Sequence, residues 1–414
     1  MKGRALVVVY ILVVWFVISF VTNIIGPLMP IIIRDFDLSL SLAGFLPFSF
    51  FLAYGLVSIP AGSMVERIGP RNTLLGAFTL NLAGALPIAL VPNYAVVIGG
   101  LFVIGLGMAM LQVVINPLMR TAGGEAHFAF FSVMGQLVFG LASFVGPMVF
   151  SVLMRNADAL PTRLPWVSFY WAFAAIFVLL IVVTRAIAIP RVEIAESERT
   201  GTWATYRELL RDRHVRLFFL GIVAYVGTEQ SLANWMSQFL ATYHGVSPTV
   251  EGAAAVGRFW GLMAVGCVLG LLLLKILDAR VVLGMFSALA IACIALALFG
   301  SKDVALLAFP FSGFLLSVMF SIIFSLSLNS VPRHHGALSG ILCTGILGGA
   351  VVPLLVGLLG DRLGLRIAMT TVFVTVAYIF AISLWARPLV RNETVSLAKT
   401  LGFAPRSASD TARH

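Results

Sequence analysis

Long apolar runs fill most of this chain and leave it little choice of secondary structure. A helix needs roughly 20 apolar residues to cross a hydrocarbon layer of about 30 Å. Backbone groups in lipid find partners only within their own helix, and the period-2 alternation of a β-barrel is absent, so each run must be α-helical. We therefore predict an all-α membrane protein with twelve transmembrane helices, near residues 5–33, 39–65, 73–91, 94–119, 128–154, 164–189, 216–243, 256–274, 281–300, 304–331, 336–359 and 366–386.

Composition and charge agree with a membrane protein and argue against a nucleic-acid partner. Only 11% of the residues are charged and the mean hydropathy is +1.04, whereas soluble domains carry about 25% charged residues. If both termini lie on one side, that side holds 20 of the 27 Lys and Arg residues. Because cytoplasmic loops collect basic residues, we predict that both termini are cytoplasmic in a bacterial inner membrane. The net charge of +10 then reflects topology and contact with membrane lipid.

A polar stretch in the middle of the chain separates six predicted helices from six others. Rich in Arg and Glu, it is expected to be a solvated, partly helical connector. The chain beyond residue 388 is polar as well, which predicts disorder. The predicted divisions are an N-terminal six-helix bundle at 1–189, a cytoplasmic connector at 190–215, a C-terminal six-helix bundle at 216–388 and a disordered cytoplasmic tail at 389–414.

Two pairs of residues share one spacing along the chain. Glu229 follows Asn23 by 206 residues, and Pro353 follows Pro147 by the same 206. The shared offset indicates a duplicated six-helix unit. In transporters built from parallel repeats, the substrate site lies near the membrane midplane between the halves. We therefore expect two pseudo-symmetric bundles with Asn23 and Glu229 facing one central cavity.

Glu229 is the only charged side chain near the centre of a long apolar run. A carboxylate at the bilayer midplane costs roughly 2.5–3.5 kcal/mol even on lenient scales, so an unused one is not expected there. Three hypotheses remain open. Glu229 binds and releases a transported proton, it stays charged and accepts hydrogen bonds from a substrate, or it ties its helix to a neighbour.

Amide and aromatic side chains within the predicted helices suit a hydroxylated solute. Hydroxyl groups donate and accept hydrogen bonds, as amides do, and an aromatic ring can lie against the C–H face of a sugar. The structural alternative is polar contact between membrane helices, worth about 0.6 kcal/mol on average. The candidates for substrate binding are Asn23, Gln112, Asn116, Gln136, Glu229, Asn234, Trp235, Gln238 and Asn329, with Trp260 as a second candidate ring.

The loop after the second run reads GSMVERIGPR at residues 62–71. This stretch resembles the cytoplasmic loop motif of the major facilitator superfamily, with Glu66 where the family usually has Asp. The resemblance implies a gate in which Glu66, Arg67 and Arg71 pair with charges on neighbouring helices, such as Arg120. Charges that only reach into water beside the membrane are the alternative.

Four further stretches carry a closer resemblance, in helices 4, 7, 10 and 11 of the predicted order. They read LQVVINP at 111–117, YVGTEQSLANW at 225–235, SIIFSLSL at 321–328 and GGAVVP at 348–353. Together they are similar to the fucose and glucose/galactose permease branch of the same superfamily, over nearly all of residues 5–388. The resemblance implies the major facilitator fold, hexose transport and, usually, coupling to protons.

The chain departs from that branch at its acids. Proton-coupled fucose permeases carry an acid in helix 1 shortly before a proline, and another just before the Asn-Pro of helix 4. Here the matching residues are Asn23 and Gln112. In helix 5, Gln136 keeps one amide of the family and Phe139 replaces another. Glu229 is then the one mid-membrane carboxylate left to carry a proton.

These observations predict a monomeric secondary transporter that moves a hexose-like sugar, or a similar small polar solute, by alternating access. Proton symport through Glu229 is the first hypothesis, and facilitated diffusion is the second. Export of amphipathic metabolites or drugs is the third, because 32 phenylalanines suit a larger aromatic pocket. An enzyme would need clustered His, Asp or Glu, or a metal or phosphate motif. We expect no enzymatic activity, cofactor, metal site or nucleic-acid partner.

Overall fold

Six helices make up the first half of the chain in the computed structural model, which describes residues 2–123, 128–156, 164–190, 203–331 and 334–389. Because α1 and α2 continue one another, they cross the membrane once. The 51-residue α3 crosses twice, because it folds back at Gly69, whose φ of +81° favours glycine. The helices are α1 (Lys2–Asn23), α2 (Ile25–Phe36), α3 (Leu40–Leu90), α4 (Tyr94–Gly123), α5 (Phe128–Arg155) and α6 (Val167–Ala186).

The second half also crosses six times, with three of its crossings built from paired helices. Eleven crossings of the described chain are long and apolar by composition. The remaining one, α8, has 32 residues but carries Thr, Glu, Gln, Ser and Asn near its middle. The helices after the connector helix α7 (Trp203–Arg211) are α8 (Arg213–His244), α9 (Ala253–Leu274), α10 (Ala279–Phe299), α11 (Lys302–Leu316), α12 (Met319–Leu328), α13 (His335–Thr344), α14 (Gly348–Leu363), α15 (Leu365–Met369) and α16 (Thr371–Trp385).

The membrane-spanning helices end at two opposite faces of the molecule. The terminus face is the side on which α1 begins and α16 ends, and the far face is the side of the turn between α2 and α3. The helix α7 precedes α8 at the terminus face and buries Tyr206 and Leu209. Residues 191–202 and 390–414 lie outside the described part of the chain, so the limits of the connector and the disorder of the tail stay predictions.

Buried side chains form two hydrophobic cores, one in each half. The first core runs from Val7 to Leu180 and takes only Ala253 and Ala350 from the other half. The second runs from Tyr206 to Ala386 and takes only Met29 and Ala43 in return. Separate cores fit two six-helix bundles, and the predicted all-α, twelve-helix fold is confirmed.

The two halves pack directly against each other at the far face. A Cβ atom on Gly26 in α2 would collide with the carbonyl oxygen of Ala233 in α8, so these helices approach closely only because of that glycine. Nearby, the carboxylate of Asp361 at the end of α14 accepts hydrogen bonds from the backbone N–H groups of Leu40 (2.7 Å) and Ser41 (2.9 Å). The first turn of α3 is thereby tied to the other half.

Candidate functional site: a central polar cavity

A cavity of about 460 Å³ lies between the two halves. It extends from the level of Trp260 to that of Leu274 in the last turn of α9, so it reaches toward the terminus face. Among described residues, the polar and aromatic side chains that line it are Trp15, Thr22, Asn23, Phe51, Tyr54, Gln112, Phe139, Ser143, Tyr225, Glu229, Gln230, Trp260, Cys267, Ser317, Phe320 and Ser321.

Glu229 lines this cavity from α8 and is held by neutral donors. The hydroxyl of Tyr225, one helical turn earlier, donates to Oε1 at 2.8 Å. The amide of Gln230 donates to Oε2 at 3.4 Å, a long hydrogen bond. Among the residues that the structure describes, Glu229 makes no ion pair with Lys, Arg or His. A half-buried carboxylate without a counter-cation is therefore exposed to whatever enters the cavity.

Asn23 faces the same cavity from the last residue of α1. Its Nδ2 donates to the hydroxyl of Ser143 in α5 at 2.8 Å, and more weakly to Ser19 at 3.4 Å. Its Oδ1 is buried and accepts no hydrogen bond within the described chain. A buried carbonyl oxygen without a donor costs about 1–3 kcal/mol. Asn23 therefore lines the cavity with an amide whose oxygen has no donor among the described residues.

Trp260 contributes an unused donor. Its side chain is buried, its ring meets Phe259 edge-on, and its Nε1 has no acceptor among the described atoms. An indole N–H, an amide oxygen and a carboxylate thus belong to residues that line one cavity, and the first two are covered by neighbouring atoms in this conformation. A solute with several hydroxyl groups could satisfy all three, because each hydroxyl both donates and accepts.

The predicted substrate residues divide into those that line the cavity and those that do not. Asn23, Gln112 and Glu229 line it. Asn234 does not, and donates instead to the side-chain oxygen of Gln230 at 3.3 Å. Trp235 is fully buried in the second core, where its Nε1 donates to the carbonyl of Pro353 at 3.0 Å.

Two further candidates lie away from the cavity lining. Gln238 donates to the hydroxyl of Thr242, one turn nearer the far face. Asn329 ends α12 at the terminus face, where its carbonyl accepts from the backbone of Leu389. A role in substrate binding for Asn234, Trp235, Gln238 and Asn329 stays a prediction.

The remaining predicted residues are only partly described. Arg67 is exposed, and Arg71 donates to the carbonyl of Arg185 at the end of α6. The gate at the terminus face therefore stays a prediction. The side chains of four predicted residues lie outside the described part of the chain, namely Glu66, Asn116, Arg120 and Gln136.

Some cavity residues were not singled out by the sequence. Tyr225 and Gln230 hold Glu229, and Ser143 holds Asn23. Tyr225 and Glu229 are four residues apart, which places both on one helix face, so their spacing in the sequence is enough to predict this pair. A serine in a helix rich in small residues carries no such signal, so Ser143 needed the tertiary structure.

Two membrane-spanning bundles that enclose a polar cavity define a solute transporter. The chain belongs to the Major Facilitator Superfamily, whose family model matches residues 11–345. The family resemblance read from the sequence is therefore confirmed.

Individual relatives and a solved structure agree with this assignment. The chain is 30% identical over 383 residues to a glucose/galactose transporter of Brucella abortus biovar 1 (strain 9-941), covering 88% of this chain and 90% of the relative. It is 24% identical over 379 residues to the L-fucose-proton symporter of Escherichia coli (strain K12), covering 84% and 86%. A crystal structure of the E. coli fucose:proton symporter FucP matches with a TM-score of 0.67 at 20% identity, over 93% of this chain and 99% of that one. That likeness shows a shared fold.

Proposed function

We propose that this protein moves a hexose-like sugar through the central cavity by alternating access, and that Glu229 couples this movement to protons. The observation that carries the proposal is the carboxylate of Glu229, which faces the cavity without a cationic partner in the described chain. The names of relatives, a glucose/galactose transporter and a fucose-proton symporter, support the choice of a hexose.

The geometry of the cavity suits a sugar. Its volume of about 460 Å³ falls within the roughly 300–1,000 Å³ of ordinary small-molecule sites. Asn23 Oδ1 and Glu229 would accept hydrogen bonds from sugar hydroxyls, and Trp260 Nε1 would donate one. Gln112 lies on the same lining, and Asn116 and Gln136 belong to the proposed binding set by their positions in the sequence.

The coupling step would use Glu229 because its partners are neutral. Tyr225 and Gln230 donate to the charged carboxylate. Protonation would weaken these two hydrogen bonds but would leave no cation unpaired. The carboxyl group could therefore gain a proton with the sugar on one side of the membrane and lose it on the other.

The proposed orientation places the terminus face in the cytoplasm of a bacterial cell, since basic residues concentrate there. The cavity would then face inward, with the far side closed by Gly26 and Asp361. The bundles at 1–189 and 216–388 would rock about this site in a monomer. Glu66, Arg67, Arg71 and Arg120 would pair only when the cytoplasmic side closes.

Transport in proteoliposomes tests the proposal. We expect the wild-type protein to accumulate a labelled hexose against its gradient when an inward proton gradient is imposed. Glu229→Gln should abolish this accumulation and preserve counterflow, because a glutamine keeps a hydrogen-bond acceptor but carries no proton. Glu251→Gln is the matched control, because Glu251 is an exposed acid in the turn before α9. Loss of counterflow in Glu229→Gln would instead assign the residue to sugar binding.

Facilitated diffusion is the second candidate function. The observation that favours it is the pair of amides, Asn23 and Gln112, where proton-coupled fucose permeases carry acids. A wild-type protein that equilibrates hexose but never accumulates it under a proton gradient would establish this alternative and contradict symport.

A further inference from the structure

A second, larger groove lies on the membrane-facing side of the molecule. It has a volume of about 1250 Å³ and runs between α5 of the first half and α9, α10 and α11 of the second. Many of its lining side chains are large, apolar and well exposed, among them Leu141, Val265, Leu289 and Leu307. Side chains of this kind face lipid tails when the helices cross a membrane.

Among the described residues that line this groove, Arg258 is the one with a charged side chain. It lies in the second turn of α9, near the far face, and it is exposed. Within the described residues it has no acidic partner and no hydrogen bond of its side chain. A guanidinium at the edge of the hydrocarbon is costly unless it finds an anion or reaches the headgroup region.

The groove is long enough to hold a lipid chain. Arg258 and Leu273 both line it and lie about 22 Å apart along α9, at 1.5 Å of rise per residue. One leaflet contributes about half of a hydrocarbon core of about 30 Å. The groove is therefore longer than one leaflet is thick, so an acyl chain of the far-face leaflet can lie within it, with its phosphate beside Arg258.

We propose that this groove is a binding site for an anionic phospholipid, with Arg258 holding the phosphate and the apolar walls holding the acyl chains. Arginine suits this role because its planar guanidinium can bind two phosphate oxygens at once. The groove does not suit a sugar, because Arg258 is the one charged or strongly polar side chain among its described lining residues.

The groove crosses the boundary between the halves. Leu137, Gly140, Leu141 and Phe144 come from α5, and the other lining residues come from the second half. A lipid in the groove therefore touches both bundles at a place where they must move during alternating access. Its binding would bias the conformational equilibrium by its differential affinity for the two states. This effect on transport rests on the proposed function, whereas the binding itself does not.

Lipid binding to the purified protein tests the site directly. Phosphatidylglycerol and phosphatidylcholine are titrated in detergent, and bound lipid is counted by native mass spectrometry. For Arg258→Gln we expect phosphatidylglycerol binding to weaken by about fivefold, the effect of one basic residue near a membrane surface. Arg362→Gln is the control, because Arg362 is exposed in the last turn of α14 near the same face and does not line the groove.

A second pair of variants tests the apolar walls. Leu289→Trp fills the groove and should reduce bound phosphatidylglycerol, whereas Leu179→Trp on α6 should not. The proposal would be overturned if Arg258→Gln bound as much phosphatidylglycerol as Arg362→Gln, and Leu289→Trp bound as much as Leu179→Trp. A dimer that Leu289→Trp converts to a monomer would overturn it as well, since the groove would then hold a second copy. Proteoliposomes can still show sugar transport in either case, so failure of the lipid site and failure of the proposed function are distinguishable.

Discussion

Neutral donors around Glu229 are the most informative feature at the scale of single residues. A carboxylate paired with Arg or Lys would resist protonation, because the cation would be left buried and unpaired. Tyr225 and Gln230 impose no such penalty. Glu229, whose charge is costly inside a membrane, thus has neighbours that allow its carboxylate to be protonated. Asn23 and Trp260, which line the same cavity, each have one side-chain polar atom without a partner in the described chain.

Replacing a tryptophan by phenylalanine separates the two candidate rings. Trp260→Phe keeps an aromatic ring in the cavity but removes the free N–H, so we expect the KM for sugar in counterflow to rise about fivefold, the loss of about one hydrogen bond. Trp235→Phe should leave the KM unchanged and lower the melting temperature, because its N–H bonds Pro353 within the second core. Counterflow kinetics and thermal unfolding of both variants measure these effects. A KM that rises in Trp235→Phe but not in Trp260→Phe would instead assign Trp235, and not Trp260, to substrate binding.

At the scale of helices, the contact between α14 and α3 closes the far face. The negative charge of Asp361 lies at the N-terminus of a long helix, where backbone N–H groups and the helix dipole favour an anion. Alternating access requires this contact to break whenever the cavity opens to the far side. The strength of one carboxylate therefore helps to set the balance between the two states.

Weakening this contact should open the far face. Removing a negative charge from a helix N-terminus costs about 0.3–1 kcal/mol, so for Asp361→Asn we expect up to roughly fivefold faster labelling of Cys267 from the far side. Cys267 lines the cavity, and the experiment uses a variant in which Cys293 and Cys343 are replaced by alanine. The measurement is the rate of reaction with a membrane-impermeant maleimide in intact cells.

The control for this experiment is a second acid at the same face. Asp303 is exposed in the first turn of α11 and binds neither α3 nor α14 in the described structure. Asp303→Asn should therefore label at the wild-type rate. Equal labelling of Asp361→Asn and the wild type would mean that the packing at Gly26 closes the far face without help from Asp361.

At the scale of the whole molecule, the separation of the two cores matters most. Among the buried core residues of the described chain, each bundle keeps its own, and Met29, Ala43, Ala253 and Ala350 are the ones exchanged between them. Two bodies with separate cores can move relative to each other without repacking either interior. The cavity between them is therefore the part of the molecule whose shape and stability respond most to a bound solute.

Thermal unfolding can identify the sugar that binds and show whether its binding is linked to the binding of a proton. A ligand at 100 times its Kd stabilises the folded state by about 2.7 kcal/mol, so the correct monosaccharide should raise the melting temperature of the purified protein. If a proton binds together with the sugar, the rise should be larger at lower pH, because protons then favour the sugar-bound state. Glu229→Gln should keep the rise and lose its pH dependence. A rise in the wild type that is the same at both pH values would contradict coupling.

The twelve helices followed from the sequence because lipid offers the backbone no hydrogen-bond partners. Every sufficiently long apolar run must then be a helix, and the shared offset predicted that Asn23 and Glu229 face one cavity, which both of them line. Which polar side chains meet in the cavity was decided only by the tertiary structure. Trp235 and Trp260 are similar in sequence terms and both belong to the second core, yet only Trp260 also lines the cavity. The difference depends on how each helix is rotated and packed against its neighbours, and hydrophobic length contains no information about that rotation.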